Sequence, residues 1–131
     1  MKSKKIPAAI GPYSESRLGD NLIYTSGQLP LNPLTGKLIE GDIYDQTKQS
    51  LMIISEILKE NQSCLDRVIK FTVYTVDLSK FDEINAAFLD SLTEPYPART
   101  VIQIGKLPMN GEIEIEAVAK VIEGEEKYGI S

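Results

Sequence analysis

Residues 112–122 read EIEIEAVAKVI, and apolar side chains stand at every second position of this run. The alternation predicts a β-strand, because successive side chains of a strand point to opposite faces of its sheet. One face carries Ile113 and Ile115, whereas the other carries three glutamates beside Val118 and Ile122. A sheet backed by helices on one side usually shows polar residues on the other. The half-apolar second face therefore favours cover by another subunit, with cover by the N-terminal segment as the alternative.

Upstream of this strand, the sequence predicts two helices that alternate with strands. The predicted elements are a strand at 22–25, a helix from 42 to about 61, a strand at 68–76, a helix from about 79 to 94, and a strand at 99–104. Asp42 and Ser79 are the expected N-caps of the two helices. Phe81 and Phe88 belong to the apolar face of the second helix. The predicted order is strand, helix, strand, helix, strand, strand.

The length, composition and charge narrow the class of protein. The chain has 131 residues, 42% of them hydrophobic, which fits a single domain spanning residues 1–131. Its 19 acidic and 14 basic residues give a net charge of −5, which disfavours binding to a phosphate backbone. Neither a signal peptide nor an apolar run of about 20 residues is present, so we expect a cytoplasmic protein without membrane contact.

The cysteine and histidine counts exclude several chemistries. The chain has one cysteine, Cys64, and no histidine. It therefore has neither an intrachain disulfide nor a nucleophile activated by an imidazole. A zinc site is not expected either, because such sites generally draw on cysteine and histidine ligands. Cys64 is interpreted as a packing residue.

Five short motifs follow one another along the chain. They are PAAIGPY at 7–13, TSGQ at 25–28, Asn85, PAR at 97–99 and IEIEA at 113–117. In these motifs the chain resembles the reactive intermediate deaminase family (RidA, also called YjgF-like). Each motif alone is weak, but the ordered set spans nearly the whole chain and is specific.

The resemblance implies an α+β, chorismate-mutase-like fold, in which a mixed sheet is backed by two helices. It further implies a homotrimer around a central barrel, with the sites between subunits. The implied activity is hydrolysis of reactive 2-imino acids and enamines, such as 2-iminobutanoate and 2-iminopropanoate, to 2-keto acids and ammonia. No cofactor is implied.

Two residues fit the catalysis of this reaction. Arg99 can hold the substrate carboxylate through two parallel charge-assisted hydrogen bonds. A carboxylate can orient the attacking water and accept its proton. Glu114 and Glu116 share a face, so the residue chemistry leaves both open, and the resemblance assigns Glu114.

The resemblance also implies a substrate-binding set. Its members are Tyr13, Ser26, Gly27, Phe81, Asn85 and Val101. Ser26 and Gly27 would line one side of the cleft together with Arg99, whereas Phe81 and Asn85 would approach from a neighbouring subunit. Val101 stands where many family members have cysteine, which excludes a thiol role here. A role through the backbone N–H and C=O would be served equally well by valine.

Arg99 and Glu114 would be too far apart for direct contact if the last two strands formed a simple hairpin. Arg99 would lie opposite a residue near Val118, roughly 13 Å from Glu114 at ordinary strand rise. Three solutions are open: substrate and water bridge the gap, a bulge shifts the register, or the two groups come from different chains. A non-catalytic protein that binds or senses a small carboxylate such as a 2-keto acid is the alternative function.

Overall fold

The computed structural model describes residues 5–122, and within them the strands form one mixed sheet. Its strands are β1 (Ser16–Gly19), β2 (Leu22–Thr25), β3 (Val68–Thr75), β4 (Ala98–Gln103) and β5 (Ile113–Lys120). The helices are α1 (Ile43–Glu60) and α2 (Phe81–Ser91). The strand order is β1-β2-β5-β3-β4, and only the β3–β4 pair is parallel.

Helix α1 begins and packs as its sequence predicts. The Asp42 side chain accepts a hydrogen bond from the Asp45 N–H at 2.9 Å, which satisfies one of the open donors of the first turn. The predicted inner face is completely buried and consists of Thr47, Leu51, Ile54 and Leu58. The spacing of apolar residues therefore fixed both the extent of α1 and the side that meets the sheet.

Helix α2 begins differently from the prediction. Asp77, not Ser79, supplies the cap: its side chain accepts from the Ser79 N–H at 2.9 Å and starts a short 3₁₀ turn, Leu78–Lys80, that leads into α2. Phe81 is the first residue of α2 and is 37% exposed, so its assignment to the core is wrong. Ile84 and Phe88 are buried as predicted.

The hairpin of the last two strands is also wrong. β4 pairs in parallel with β3, and β5 lies on the other side of β3. The reason is α2, which provides the crossover that a parallel neighbour of β3 requires. The connection after β4 then passes the end of β3, where Thr75 is level with both Gln103 and Ile113.

Strand β1 is absent from the elements predicted from the sequence. Its residues, SRLG, are mostly exposed and carry no apolar alternation. β1 pairs with β2 through a tight turn in which Asp20 has a φ of 49°. Aspartate tolerates that left-handed conformation better than most residues.

The two helices and the sheet enclose the main core on one face of the sheet. Buried side chains of the strands, among them Phe71, Val73 and Ile115, share this core with Ile54 and Phe88 of the helices. Alternation along the strands places Tyr74, Glu114, Glu116 and Val118 on the opposite face, named here the open face. None of the described helices is long and apolar enough to cross a membrane.

Candidate active site

Arg99 lies on the helical side of the sheet. It is level with Phe71 in the parallel register of β3 and β4, and Phe71 is completely buried beneath α2. The Arg99 Nη2 donates a hydrogen bond of 2.6 Å to the Asn85 Oδ1. The guanidinium carbon lies 4.9 Å from the centre of the Phe88 ring and 5.6 Å from that of Phe81. Both rings are near enough for a cation–π interaction, and together with Asn85 they orient the guanidinium.

The groups that contact the Arg99 guanidinium are neutral. Within residues 5–122 no carboxylate lies at ion-pair distance from it, and its hydrogen-bond partner is an amide. Burial lowers the pKa of Arg99, yet a guanidinium remains charged in proteins. The adjoining cavity has a volume of about 670 Å³ and is lined mainly by apolar side chains of α2 and the following segment. A half-buried cation without a counter-charge, open to a cavity, is suited to binding an anion.

Val101 follows Arg99 on the same side of β4. It is level with Val73 and packs against the main core. Its side chain therefore fills space against the sheet, which leaves only its backbone groups for a substrate. This placement agrees with the predicted backbone role, which remains a prediction.

Glu114 occupies a second pocket on the open face. It is level with Tyr74 in the antiparallel register of β3 and β5. The pocket has a volume of about 290 Å³ and is lined by Glu114, Gly27, Tyr13, residues 7–10 and Met109, among others. A Cβ atom built on Gly27 would lie 2.8 Å from the Glu114 Cδ, so only glycine allows this close approach.

The environment of Glu114 stabilises its protonated form. Burial raises the pKa of Glu114, and the neighbouring charge of Glu116 raises it further. Both effects disfavour the ionised carboxylate, the first by removing water and the second by repulsion. A glutamate with a raised pKa can accept and return a proton nearer neutral pH than an ordinary one.

Tyr13 and Ser26 differ in how far they are available to a ligand. The Tyr13 hydroxyl accepts a hydrogen bond from the Ile10 N–H at 3.2 Å and lines the Glu114 pocket. The Ser26 hydroxyl donates to the Ser14 carbonyl at 2.6 Å, so it is already used as a donor. Gly27 differs again, since its N–H meets no acceptor in the described part of the chain.

The predicted residues thus form two groups rather than one. Phe81 and Asn85 contact Arg99 of their own chain, whereas the expectation was that they approach the site from a neighbouring subunit. Gly27 lies against Glu114, not beside Arg99, because β2 and β5 are neighbours in the sheet whereas β4 is at the far edge. Ser26 precedes Gly27 and is likewise distant from Arg99.

Arg99 and Glu114 cannot share one site within a single chain. Strand rise and spacing put their Cα atoms about 14 Å apart, and their side chains leave opposite faces of the sheet. The bulge in the β3–β5 register falls between Val68 and Lys70, outside the segment that separates them. The sequence left three solutions open. This geometry favours the one in which Arg99 and Glu114 of a site come from different chains.

Two residues beside the site were missed as functional groups. Phe88 was predicted only as part of the apolar face of the second helix, and no function was predicted for Tyr74. A signal for Phe88 was present, because Phe81, Asn85 and Phe88 recur at spacings of four and three and so share one face of α2.

No group of three or more potential metal-ligating side chains occurs among residues 5–122.

The fold and the two pockets define a small α+β protein that presents a half-buried arginine beside a cavity on one side of its sheet and a half-buried carboxylate in a pocket on the other. Residues 3–121 match the family described as Endoribonuclease L-PSP, and the chain belongs to that family. The structural neighbours include RidA and YjgF proteins, so the predicted resemblance and the mixed sheet backed by two helices are confirmed.

Three similar proteins carry informative names. A goat protein named 2-iminobutanoate/2-iminopropanoate deaminase is 40% identical over 119 residues, which cover 91% of this chain and 87% of that protein. RidA from an Antarctic Psychrobacter is 39% identical with a TM-score of 0.87, covering 92% of this chain and 97% of that one. TdcF from E. coli, solved with bound serine, is 34% identical with a TM-score of 0.83, covering 91% and 95%.

Proposed function

We propose that this protein is a hydrolytic deaminase that converts 2-imino acids, such as 2-iminobutanoate and 2-iminopropanoate, to 2-keto acids and ammonia. The observation that carries the proposal is Glu114, a half-buried carboxylate with a raised pKa in a pocket of its own. A protein that only binds small carboxylates needs Arg99 but has no use for such a group. The deaminase name of the goat relative supports the same activity.

The site forms between subunits of a homotrimer in this proposal. The Arg99 pocket of one subunit meets the Glu114 pocket of the next, a head-to-tail contact that closes into a ring when repeated. The open face, which carries Val118 beside the glutamates, turns toward the other subunits and is covered there. Support comes from the placement of Arg99 and Glu114 on opposite faces of the sheet.

Arg99 binds the substrate and fixes its plane. Its guanidinium holds the carboxylate through two parallel hydrogen bonds, and the Phe81 and Phe88 rings keep the guanidinium in place. The Asn85 Oδ1 accepts from the Arg99 Nη2 in the free protein. When the carboxylate arrives, Asn85 shares this Arg99 donor with it or gives the donor up. The N–H of Gly27, which meets no acceptor among residues 5–122, supplies a further donor from the adjacent subunit.

Glu114 moves the protons of hydrolysis. Its carboxylate takes a proton from a water molecule as the water oxygen bonds to C2 of the protonated imine, and the C=N electron pair moves to nitrogen. Glu114 then returns this proton to the nitrogen. The C–N bond breaks as Glu114 takes the proton of the hydroxyl, which becomes the keto group, and ammonia leaves. A positioned acid–base group of this kind contributes about 10²- to 10⁴-fold in rate.

A coupled assay tests the activity. A threonine dehydratase generates 2-iminobutanoate in the presence of semicarbazide, which traps the free imine, and the formation of 2-ketobutyrate is followed. We expect the protein to divert imine from the trap, and Arg99→Ala to abolish the effect. Equal 2-ketobutyrate formation with the wild type and Arg99→Ala would overturn the proposal.

A binding experiment separates the enzyme from a sensor. Glu114→Gln should still bind 2-ketobutyrate in calorimetry, because Arg99 is intact, but should no longer accelerate loss of the imine. Full turnover by Glu114→Gln would remove Glu114 from the mechanism.

The description of the family calls for a nucleic-acid control. A net charge of −5 disfavours RNA binding, so we expect no salt-dependent RNA binding or cleavage at neutral pH. The proposal also places the activity in the cytoplasm.

A further inference from the structure

Two carboxylates stand side by side on the open face, and only one of them lines the pocket. Glu114 and Glu116 are two residues apart on β5, which sets their Cα atoms about 7 Å apart on the same side of the strand. Glu114 lies against Gly27 and lines the pocket. Glu116 is half-buried and level with Thr72 of β3.

Tyr74 connects the two glutamates. Its Cα is level with Glu114, yet its hydroxyl donates to the Glu116 Oε1 at 3.1 Å. Burial and this hydrogen bond raise the pKa of Tyr74, so the phenol remains a donor throughout the physiological range. An ionised carboxylate is the stronger acceptor for such a donor. Tyr74 therefore orients the Glu116 carboxylate beside Glu114.

A fixed negative charge on Glu116 acts on its neighbour. When two carboxylates share a site with little water, their repulsion disfavours ionisation of both, so one of them binds a proton first. The environment of each carboxylate decides which one. Glu116 accepts the hydrogen bond from Tyr74. Glu114 is half-buried against Gly27, and Glu116 is the charge that acts on it most strongly.

Other titratable groups face Glu114 from the packed elements. The N-terminal segment contributes Tyr13 and Glu15, which line the same pocket. Strand β3 contributes Tyr74, and β5 contributes Glu116. Lys70 of β3 donates to the Thr100 hydroxyl at 2.7 Å, farther along the sheet. Of these groups, Tyr74 and Glu116 are joined to each other by a hydrogen bond, and Glu116 is the charge that raises the pKa of Glu114.

We propose that Glu116, oriented by the Tyr74 hydroxyl, is a positioning residue that directs the shared proton of the carboxylate pair onto Glu114. The inference rests on the proposed deaminase activity, in which Glu114 exchanges that proton with water and nitrogen. Neither Glu116 nor Tyr74 touches the substrate. Their effect is on which carboxyl holds the proton.

The test combines a titration with a rate profile. The carboxyl carbons of glutamate are observed by ¹³C NMR across pH, with Glu114→Gln assigning the Glu114 signal, and kcat/KM is measured over the same range. In Glu116→Gln the amide still accepts from Tyr74 but has no charge. We expect the Glu114 midpoint and the acid limb of kcat/KM to move together to lower pH, on the order of 0.5 pH unit or threefold in proton affinity.

Glu112→Gln is the matched control. Glu112 is two residues from Glu114 on the other side, but its carboxylate accepts from the Gln46 side chain at 2.8 Å, away from Tyr74. Both substitutions remove one negative charge near Glu114. A general charge effect would therefore shift the Glu114 midpoint equally in Glu116→Gln and Glu112→Gln. We expect Glu112→Gln to leave the Glu114 midpoint in place.

Tyr74→Phe provides a second variant that keeps both carboxylates. Without the phenol donor, the proton should no longer be directed onto Glu114, so the Glu114 midpoint should move to lower pH and kcat should fall. An unchanged Glu114 midpoint in Glu116→Gln, or equal shifts in Glu116→Gln and Glu112→Gln, would overturn the inference. A wild type without turnover would instead overturn the proposed function, and the NMR titration would still report on the pair.

Discussion

The contact between Gly27 and Glu114 gives the sharpest test of the second pocket. A methyl group in Gly27→Ala would lie 2.8 Å from the Glu114 Cδ and 3.0 Å from its Cγ, whereas ordinary contact begins at 3.4 Å. The carboxylate must therefore move by at least about 0.6 Å, and a misplacement approaching 1 Å can cost about 10²-fold in rate. This corresponds to about 2.7 kcal/mol of activation free energy.

The kinetic constants separate displacement of Glu114 from loss of binding. In the semicarbazide assay, we expect kcat of Gly27→Ala to fall about 100-fold. KM should change much less, because Arg99 holds the substrate carboxylate from another pocket. Gly105→Ala is the matched control, since a Cβ there meets nothing within 4 Å and its activity should equal that of the wild type. A kcat for Gly27→Ala close to the wild-type value would refute the assignment of Glu114.

Three further substitutions test the other parts of the account. Arg99→Lys keeps the charge but loses the planar pair of donors, so kcat/KM should fall by at least about 30-fold, or ~2 kcal/mol, mainly through KM; an unchanged KM would contradict this role. Val101→Cys should change kcat/KM by less than about tenfold, ~1.4 kcal/mol, and a larger rise would show that sulfur contributes. The raised pKa of Glu114 means that the folded protein binds this proton more tightly than the unfolded chain, so wild-type stability falls as pH rises through that pKa. Glu114→Gln lacks this loss, and its Tm advantage in thermal unfolding should grow from pH 4 to pH 8; a constant difference would contradict the shift.

Most of the fold prediction came from the local periodicity of apolar residues. The buried face of α1 was predicted residue by residue, because one helix face against one sheet leaves an unambiguous 3.6-residue signal. The neighbour of β4 could not be found in this way, since an apolar alternation states which face is buried but not which strand lies alongside. β1 has no buried face, so its sequence carried no signal at all.

The candidate site was predicted as a set of residues but not as an arrangement. The motifs brought in Arg99, Asn85 and Glu114, whereas their grouping depends on the strand order. The contact of Arg99 with Asn85 requires β4 to lie beside β3 under α2, which only the tertiary fold reveals. The choice between Glu114 and Glu116 likewise depends on the position of Gly27, which lies far away in the sequence.

The central claim is that Arg99 and Glu114 act together from different subunits. Arg99→Ala and Glu114→Gln, each inactive alone, are mixed in equal amounts under conditions that exchange subunits, and 2-iminobutanoate hydrolysis is measured. If each site takes its arginine from one subunit and its glutamate from the next, about one quarter of the sites regain both groups by random assembly. Recovery of about a quarter of wild-type activity is the predicted result. No recovery, with mixed assemblies demonstrated by mass spectrometry, would contradict the account.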